Sequence, residues 1–547
     1  MPETISEKTT SWYSRLLAYG WLMDLGFASV SLALLWLVYA PSLKHMPRAD
    51  QWCFLVDTID QHTFWDIFTH SYSYNRTRRI MPGDTDLYRP LLFAVLSAEK
   101  ALFAADFAAY QGVGILLHWG VVCLLLILLR NILAFTAETG GPNSLSSPLS
   151  SWASRLLSYG VCLFFALNKS VQELVIWSHL HGYLVFLIFL LTSLILLLRY
   201  IRQPTSWWNL SLWGSWLFAL LSAFTYEMGQ LYAVLAGVFL VLALPRGTET
   251  VRRWVFGGLF IAILALYQGA DRLDRWIHRE QFSPEGVRAQ IRERALSRET
   301  VTHSKRFLAY TVAQPFFPSL WRGALAGGRV VMGEAEWNRG HFNHFPPVLL
   351  ISILTVSLAT GLGVFGLIRL LMQRHKLSLL FFLLTLGLYT VYLAMIVLGR
   401  MNIRPGPHCL STNSYYGHMG LLLALVPICI LWQSASYSRI AAVGQLALLF
   451  GLTLLTCYSA PAVWHLNKSV AQDMKGCREV IAALNRFVRE HKDEHDFSMA
   501  IDFEASDPVG SEYHFPIPMI VFKRWLHPEP KYIVTLQGGK VYAHLRY

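Results

Sequence analysis

Ionisable side chains are scarce in this chain and gather at the ends of apolar runs, so they are the first places to look for chemistry. PRADQW, residues 47–52, sets Asp50 just beyond the first such run. A carboxylate at that boundary can face a water-filled cavity, bind a divalent cation or take a proton from a substrate hydroxyl. GDTDLYRP, residues 83–90, offers a second carboxylate in Asp84 or Asp86. It also offers Arg89, whose planar fork suits a carboxylate or a phosphate oxygen. Pro90 can open the following helix without wasting an amide donor. Solvated loop carboxylates and a plain turn before a helix are the competing reading of both stretches.

Further along, NKSVQELVIWSHLHGY, residues 168–183, carries Glu173, His179 and His181 between two apolar runs. His179 and His181 share a side only if the segment is extended, so a metal pair is weakly supported. Glu227 lies in SAFTYEMGQLYAV with almost no loop around it, where an ionised carboxylate must be paired or face water. Arg400, Arg404 and His408 occur in GRMNIRPGPH, and with the arginines between 270 and 300 they could neutralise a phosphate or pyrophosphate carried on a lipid. Plain anchoring to anionic headgroups explains them equally well.

These groups need a scaffold, and composition says which kind. Of 547 residues, 54% are hydrophobic and only 15% charged, which favours many bilayer-spanning segments over one soluble core. The net charge of +12 resides largely at segment ends, for example Arg199, Arg202, Arg246, Arg252 and Arg253, a pattern for lipid headgroups and not for nucleic acid. Among the cysteines, Cys123, Cys162 and Cys429 fall inside apolar runs, whereas Cys53, Cys409, Cys457 and Cys477 fall in or near segments placed outside, where a disulfide is possible.

The candidate spans are 22–41, 111–134, 153–170, 182–200, 210–226, 229–245, 253–269, 346–371, 377–399, 418–434 and 441–459. The first is read as a retained helix and not a removed signal peptide. The stretch LYRPLLFAVLSAEKALFAAD is apolar but holds Glu99 and Lys100, which predicts a helix along the membrane surface with Leu91, Leu92, Leu96 and Phe103 toward lipid. Arginine-rich short connectors orient the N-terminus to the cytoplasm. Loops 42–110 and 270–345 and everything after about residue 460 then lie outside. In the tail, residues 471–490 have helical spacing, and FSMAIDFE, PMIVFKRWL, KYIVTLQ and KVYAHLRY read as strands, the last two as a hairpin around Gly538 and Gly539. The expected fold is an all-α polytopic membrane protein of about 11 transmembrane helices over residues 1–460, with a small C-terminal exoplasmic α+β domain over 461–547.

The order of these motifs resembles the multi-spanning glycosyltransferases of the GT-C class that use polyprenyl-phosphate sugars, especially the protein O-mannosyltransferase and TMTC-like branch. The resemblance covers roughly residues 20–245. It rests on Asp50 in the first outer loop, Tyr88, Arg89, Pro90 and Leu91 as an aromatic-Arg-Pro-Leu element, and Leu116, Leu117 and His118 at the start of the next full span. Glu173 to His179, and Glu227 with Met228, continue the series. The resemblance implies an inverting sugar transfer at the outer face with Asp50 as base and Asp84, Asp86 and Glu227 as further catalytic candidates. Arg89, His118, Glu173, His179, Arg400 and Arg404 would bind substrate. A divalent cation, Mg or Mn, could bridge phosphate and carboxylate, or arginines could do the same without metal. The partners implied are a polyprenyl-phosphate sugar, a glycan, lipid or protein acceptor, and the lipid bilayer, with no nucleic acid. The short connectors are compatible with a bacterial inner membrane and a periplasmic C-terminal domain. A lipid-linked substrate transporter or flippase is the main alternative, and a noncatalytic assembly protein the third.

Overall fold

A computed structural model describes residues 20–46, 88–103, 106–139, 148–202, 208–244, 250–277, 314–317, 346–372, 376–400, 414–435, 439–475, 478, 498–502, 532–537 and 540–545. Helices dominate: α1 (Gly20–Tyr39), α2 (Pro90–Phe103), α3 (Phe107–Thr139), α4 (Pro148–Ala166), the short α5 (Gln172–Ile176), α6 (His181–Arg202), α7 (Leu210–Thr225), α8 (Met228–Ala243), α9 (Thr250–Ile277), α10 (Pro346–Met372), α11 (Lys376–Arg400), α12 (Ser414–Ser434) and α13 (Arg439–Asp473). Every apolar run read from the sequence forms a helix.

Eight of these helices are long and apolar enough to cross a membrane, against an expectation of about eleven. The difference lies in α4, α7 and α8. Ser150, Ser151, Ser154, Arg155 and Ser158 dilute the apolar character of α4. Helices α7 and α8 have 16 residues each, or about 24 Å of rise against a hydrocarbon thickness of about 30 Å. They are short because Tyr226 adopts extended backbone between them, at φ −153° and ψ 139°. The Asn209 side chain fixes the other end of α7 by accepting from the amides of Ser211 and Leu212.

The helices are joined by small residues and hydroxyls. Ser193 of α6 and Ser215 of α7 each donate to the other's carbonyl, at 2.7 and 2.9 Å, and Tyr232 of α8 reaches Ser193 Oγ at 2.7 Å. A Cβ on Gly229 would collide with the backbone of Ser222 and Ala223, so only glycine lets α7 and α8 turn this tightly.

Helix α2 corrects one expectation. It packs against α6 and α7, and Leu92 and Leu96 are buried at 3% and 2% exposure, not turned to lipid. Leu102 is the exposed large hydrophobic of this helix, and Glu99 is buried. The amphipathic stripe is plain in the sequence, but which face it offers depends on a partner for Glu99 on another helix.

Helix α13 runs to Asp473, well past the expected end at 459, and Cys457, expected in or near an outside segment, lies within it. Cys123, Cys162, Cys429 and Cys457 are free thiols, and Cys53, Cys409 and Cys477 lie outside the described residues. In the tail, β1 (Ser498–Asp502), β2 (Tyr532–Gln537) and β3 (Lys540–Leu545) form an antiparallel sheet in the order β1-β3-β2. The hairpin pairs Gln537 with Lys540 around the expected glycines. PMIVFKRWL and most of 471–490 lie outside the described residues.

Replacing Gly229 with Ala is expected to destabilise the protein by about 1–3 kcal/mol through backbone overpacking. Gly258→Ala, whose Cβ meets open space, should be neutral or slightly stabilising. Thermal unfolding in detergent checks both.

Candidate functional site

The chain direction of each helix brings one set of ends together: the C-terminal ends of α1, α7, α9 and α13 with the N-terminal ends of α3, α6, α8 and α12. Buried polar side chains concentrate at this end and form a belt.

At its centre is Arg89, the residue before Pro90. Proline disfavours helical backbone in the preceding residue, so Arg89 stands at the threshold of α2, and its carbonyl accepts from Leu92 and Phe93. Its Nε and Nη2 donate to the two oxygens of Glu227 at 2.6 and 2.8 Å, a bidentate pair. Nη1 donates to the Tyr183 hydroxyl at 2.5 Å. The guanidinium lies 4.8 Å from the Tyr226 ring centroid and 5.6 Å from that of Tyr183. Side-chain exposures of 9% and 16% make this a largely buried ion pair, with Arg89 buried and Glu227 partly so. Nearby, Tyr267 donates to the Tyr88 carbonyl at 2.7 Å. Burial first, then Asp274 and Asp271, raise the Tyr88 phenol above its ordinary value.

The far end of α2 is held as well. Glu99 Oε1 lies 2.7 Å from His181 Nδ1, and the other ring nitrogen is 3.2 Å from the Val175 carbonyl. Both neighbours are acceptors when Glu99 is ionised, so the dyad needs a proton on each ring nitrogen or one on Glu99. Gly114 provides the room, because a Cβ there would strike Val175 O and the imidazole.

A third group ties down the chain leading to Asp50. His45 Nε2 meets the Asn467 carbonyl at 2.9 Å, and Gln172 donates to Asn467 Oδ1 at 2.6 Å. The Met46 amide points at Met474 Sδ, 3.2 Å away. The chain just beyond α1 is thereby fixed to the end of α13. Beside it, Asn168 Oδ1 accepts from Ser170, and the Lys169 amide donates to Ser459 Oγ at 3.0 Å. Lys169 is half-buried.

Of the residues singled out in the sequence, Glu227 and Arg89 are in direct contact. Glu173, on α5, and His179, whose ring centroid is 5.3 Å from that of Trp177, are buried in the belt. His118 is fully buried one layer deeper. Its Nε2 donates to the Ala166 carbonyl at 3.0 Å, so Nδ1 accepts from His418 Nε2 at 3.2 Å. His179 and His181 do not act as a pair, since His181 is committed to Glu99. Asp50, Asp84, Asp86 and Arg404 lie outside the described residues. Arg400 closes α11, and its side chain is outside them too. Among the described residues, no group of three or more His, Cys, Asp or Glu could hold a metal ion.

Sequence reading missed Glu99, Tyr183, His418, Lys169 and the His45–Asn467–Gln172 chain as site members. Glu99 carried a usable signal, because an acid inside an apolar stretch demands a named partner. The hydroxyl, amide and imidazole partners carried none, since their importance comes from helices far apart in the chain.

No family model and no curated protein matches the chain. Among solved structures, it is similar to the oligosaccharyltransferase AglB from the archaeon Archaeoglobus fulgidus, determined with an inhibitory peptide and a dolichol-phosphate. The TM-score is 0.41 and the identity 11%, over 81% of this chain and 56% of that one. This chain therefore spans little more than half the length of that neighbour, and a likeness at this level assigns no residue and no activity here.

Glu227→Ala should cost about 3–5 kcal/mol, because it leaves Arg89 buried without its counter-charge. The double change Arg89→Met with Glu227→Leu should recover most of that loss. Thermal unfolding of the two variants against the wild type provides the check.

Proposed function

We propose that the chain transfers a sugar from a polyprenyl-phosphate donor to a hydroxyl acceptor at the outer face of a membrane. The observation that supports this reading best is the buried polar belt at one end of the helical bundle, with Arg89, Glu227, Glu173 and His179 in it and the approach to Asp50 anchored to it. In this reading α4, α7 and α8 also cross the bilayer, giving about eleven spans. The short rise of α7 and α8 then leaves the Tyr226–Glu227 turn recessed below the headgroups, at the floor of a chamber. The N-terminus is cytoplasmic, residues 461–547 form an outer α+β domain, and a bacterial inner membrane is the compartment.

The acceptor oxygen attacks the anomeric carbon, the bond from that carbon to the phosphate oxygen breaks, and configuration inverts. Asp50 takes the acceptor proton, while the lipid phosphate leaves with the bonding electron pair. Asp84 or Asp86 supplies a second carboxylate. Arg400 and Arg404 meet the departing phosphate, with Arg89 contributing through the positive end that Glu227 does not cover. Glu173, His179 and His118 shape the donor side. A Mg or Mn ion would be held by Asp50 with Asp84 or Asp86, and would offset negative charge on the phosphate. A glycan, lipid or protein hydroxyl serves as acceptor.

Asp50→Asn should lower transfer by about 10²–10⁴-fold while the protein still inserts and unfolds at the wild-type temperature. The measurement is turnover of a labelled polyprenyl-phosphate sugar in vesicles containing the purified protein. Near-normal turnover would remove Asp50 from the role of base.

A further inference from the structure

At the opposite end of the bundle from the belt lies a second charged cluster that the proposed reaction does not use. Asp24 of α1, Arg130 of α3, and Arg155 and Tyr159 of α4 meet there. Asp24 Oδ1 accepts from Arg130 Nε at 3.2 Å, from Arg130 Nη2 at 2.9 Å and from the Tyr159 hydroxyl at 2.5 Å. Arg130 Nη1 donates to the Arg155 carbonyl at 3.3 Å, and its guanidinium lies 4.5 Å from the Tyr159 ring centroid. Arg130 is therefore fully engaged.

Arg155 is not. Its contact with the carboxylate is a 3.5 Å approach of Nη2 to Asp24 Oδ2, and its buried Nε has no hydrogen-bond partner. One carboxylate already spent on Arg130 cannot neutralise two guanidinium groups, so among the described residues the cluster carries one uncompensated positive charge. Leaving such a charge in surroundings of low polarity is unfavourable. The protein nevertheless makes room for it. A Cβ on Gly20 would stand 2.7 Å from Arg155 Nη1 and 2.9 Å from Cζ, so the guanidinium lies in a gap that glycine keeps open.

The cluster is reachable, with side-chain exposures of 16% for Arg130, 18% for Arg155 and 31% for Asp24. Around it, α1 presents Trp21, Leu22 and Leu25 at 64%, 42% and 57% exposure. An exposed Trp beside exposed leucines belongs at the boundary between headgroup and hydrocarbon. An anion reaching Arg155 there would come with acyl chains to cover those leucines. We infer that Arg155, with Arg130 behind it and Gly20 as its cradle, binds the phosphate of an anionic phospholipid headgroup in the leaflet at this end of the bundle.

The full chain in nanodiscs tests this. Wild-type protein should unfold several degrees higher in discs containing phosphatidylglycerol than in phosphatidylcholine alone, as expected for a ligand of the native state. Arg155→Gln should lose at least half of that shift. Arg439→Gln, at the exposed start of α13, should keep it. A shift retained in Arg155→Gln, or lost equally in Arg439→Gln, would overturn the site in favour of diffuse attraction to the membrane. If Arg155→Gln does not fold, Gly20→Ala carries the test. It keeps every charge but displaces the guanidinium, so a diminished shift supports the site and a full one overturns it. Inorganic phosphate added to the protein in detergent should give no comparable shift; an equal shift would assign the site to free phosphate and not to lipid.

Discussion

A guanidinium and a carboxylate taken out of water must find each other, and the belt is organised around one pair that does. Arg89 and Glu227 are separated by 138 residues, yet each sets the position of the helix that starts beside it. Arg89 precedes α2, and Glu227 sits in the turn that ends α7 and begins α8. Their bidentate contact therefore clamps α2 onto the α7–α8 hairpin. Tyr183 and Tyr226 supply a hydroxyl and a π-face, so the guanidinium is satisfied on its edge and on its plane. Without these partners the desolvation of either ion would exceed the attraction between them.

The second clamp on α2 explains why the first can hold its register. Glu99 is ten residues beyond Arg89, about 15 Å along the helix, and its dyad with His181 pins the other half of α2 to α6. Two side-chain contacts on one short helix, a bidentate ion pair and a carboxyl–imidazole hydrogen bond, define both its position and its rotation. Hydrophobic burial alone would leave the rotation softer, since Leu91, Val95 and Phe103 remain only partly covered. A helix fixed at both ends makes a stable wall for a chamber and a poor mobile lid.

How much of this is legible in the sequence depends on whether the signal is local. The apolar runs, the start of α2 at Pro90, the break near Glu227 and the β-hairpin come from neighbouring residues, and helices or strands stand where those signals place them. Span number is less legible, because the polarity of α4 and the short length of α7 and α8 set them apart from the eight helices that are long and apolar enough to cross. The orientation of α2 is hidden for the same reason. Leu92 and Leu96 look like a lipid face until Glu99 finds His181, 82 residues away. Arg89 and Glu227 can each be flagged as a charged group in want of a partner, but nothing in either motif names the other.

The two ends of the bundle solve the problem of buried charge differently, and that difference bears on what each end can do. In the belt, each acid is closed by a partner: Glu227 by the Arg89 guanidinium and Glu99 by the His181 ring. A substrate arriving there meets a preorganised surface of dipoles and closed pairs, and most of its charge must be met by groups beyond these pairs, which is why Asp50, Arg400 and Arg404 matter to the proposed chemistry. At the other end a single carboxylate stands between two arginines. A matched pair holds helices in place without help from outside, whereas an unmatched cation completes its hydrogen bonding only when something anionic arrives. The closed pairs therefore suit a scaffold for a reaction, and the open one suits a seat for the membrane itself.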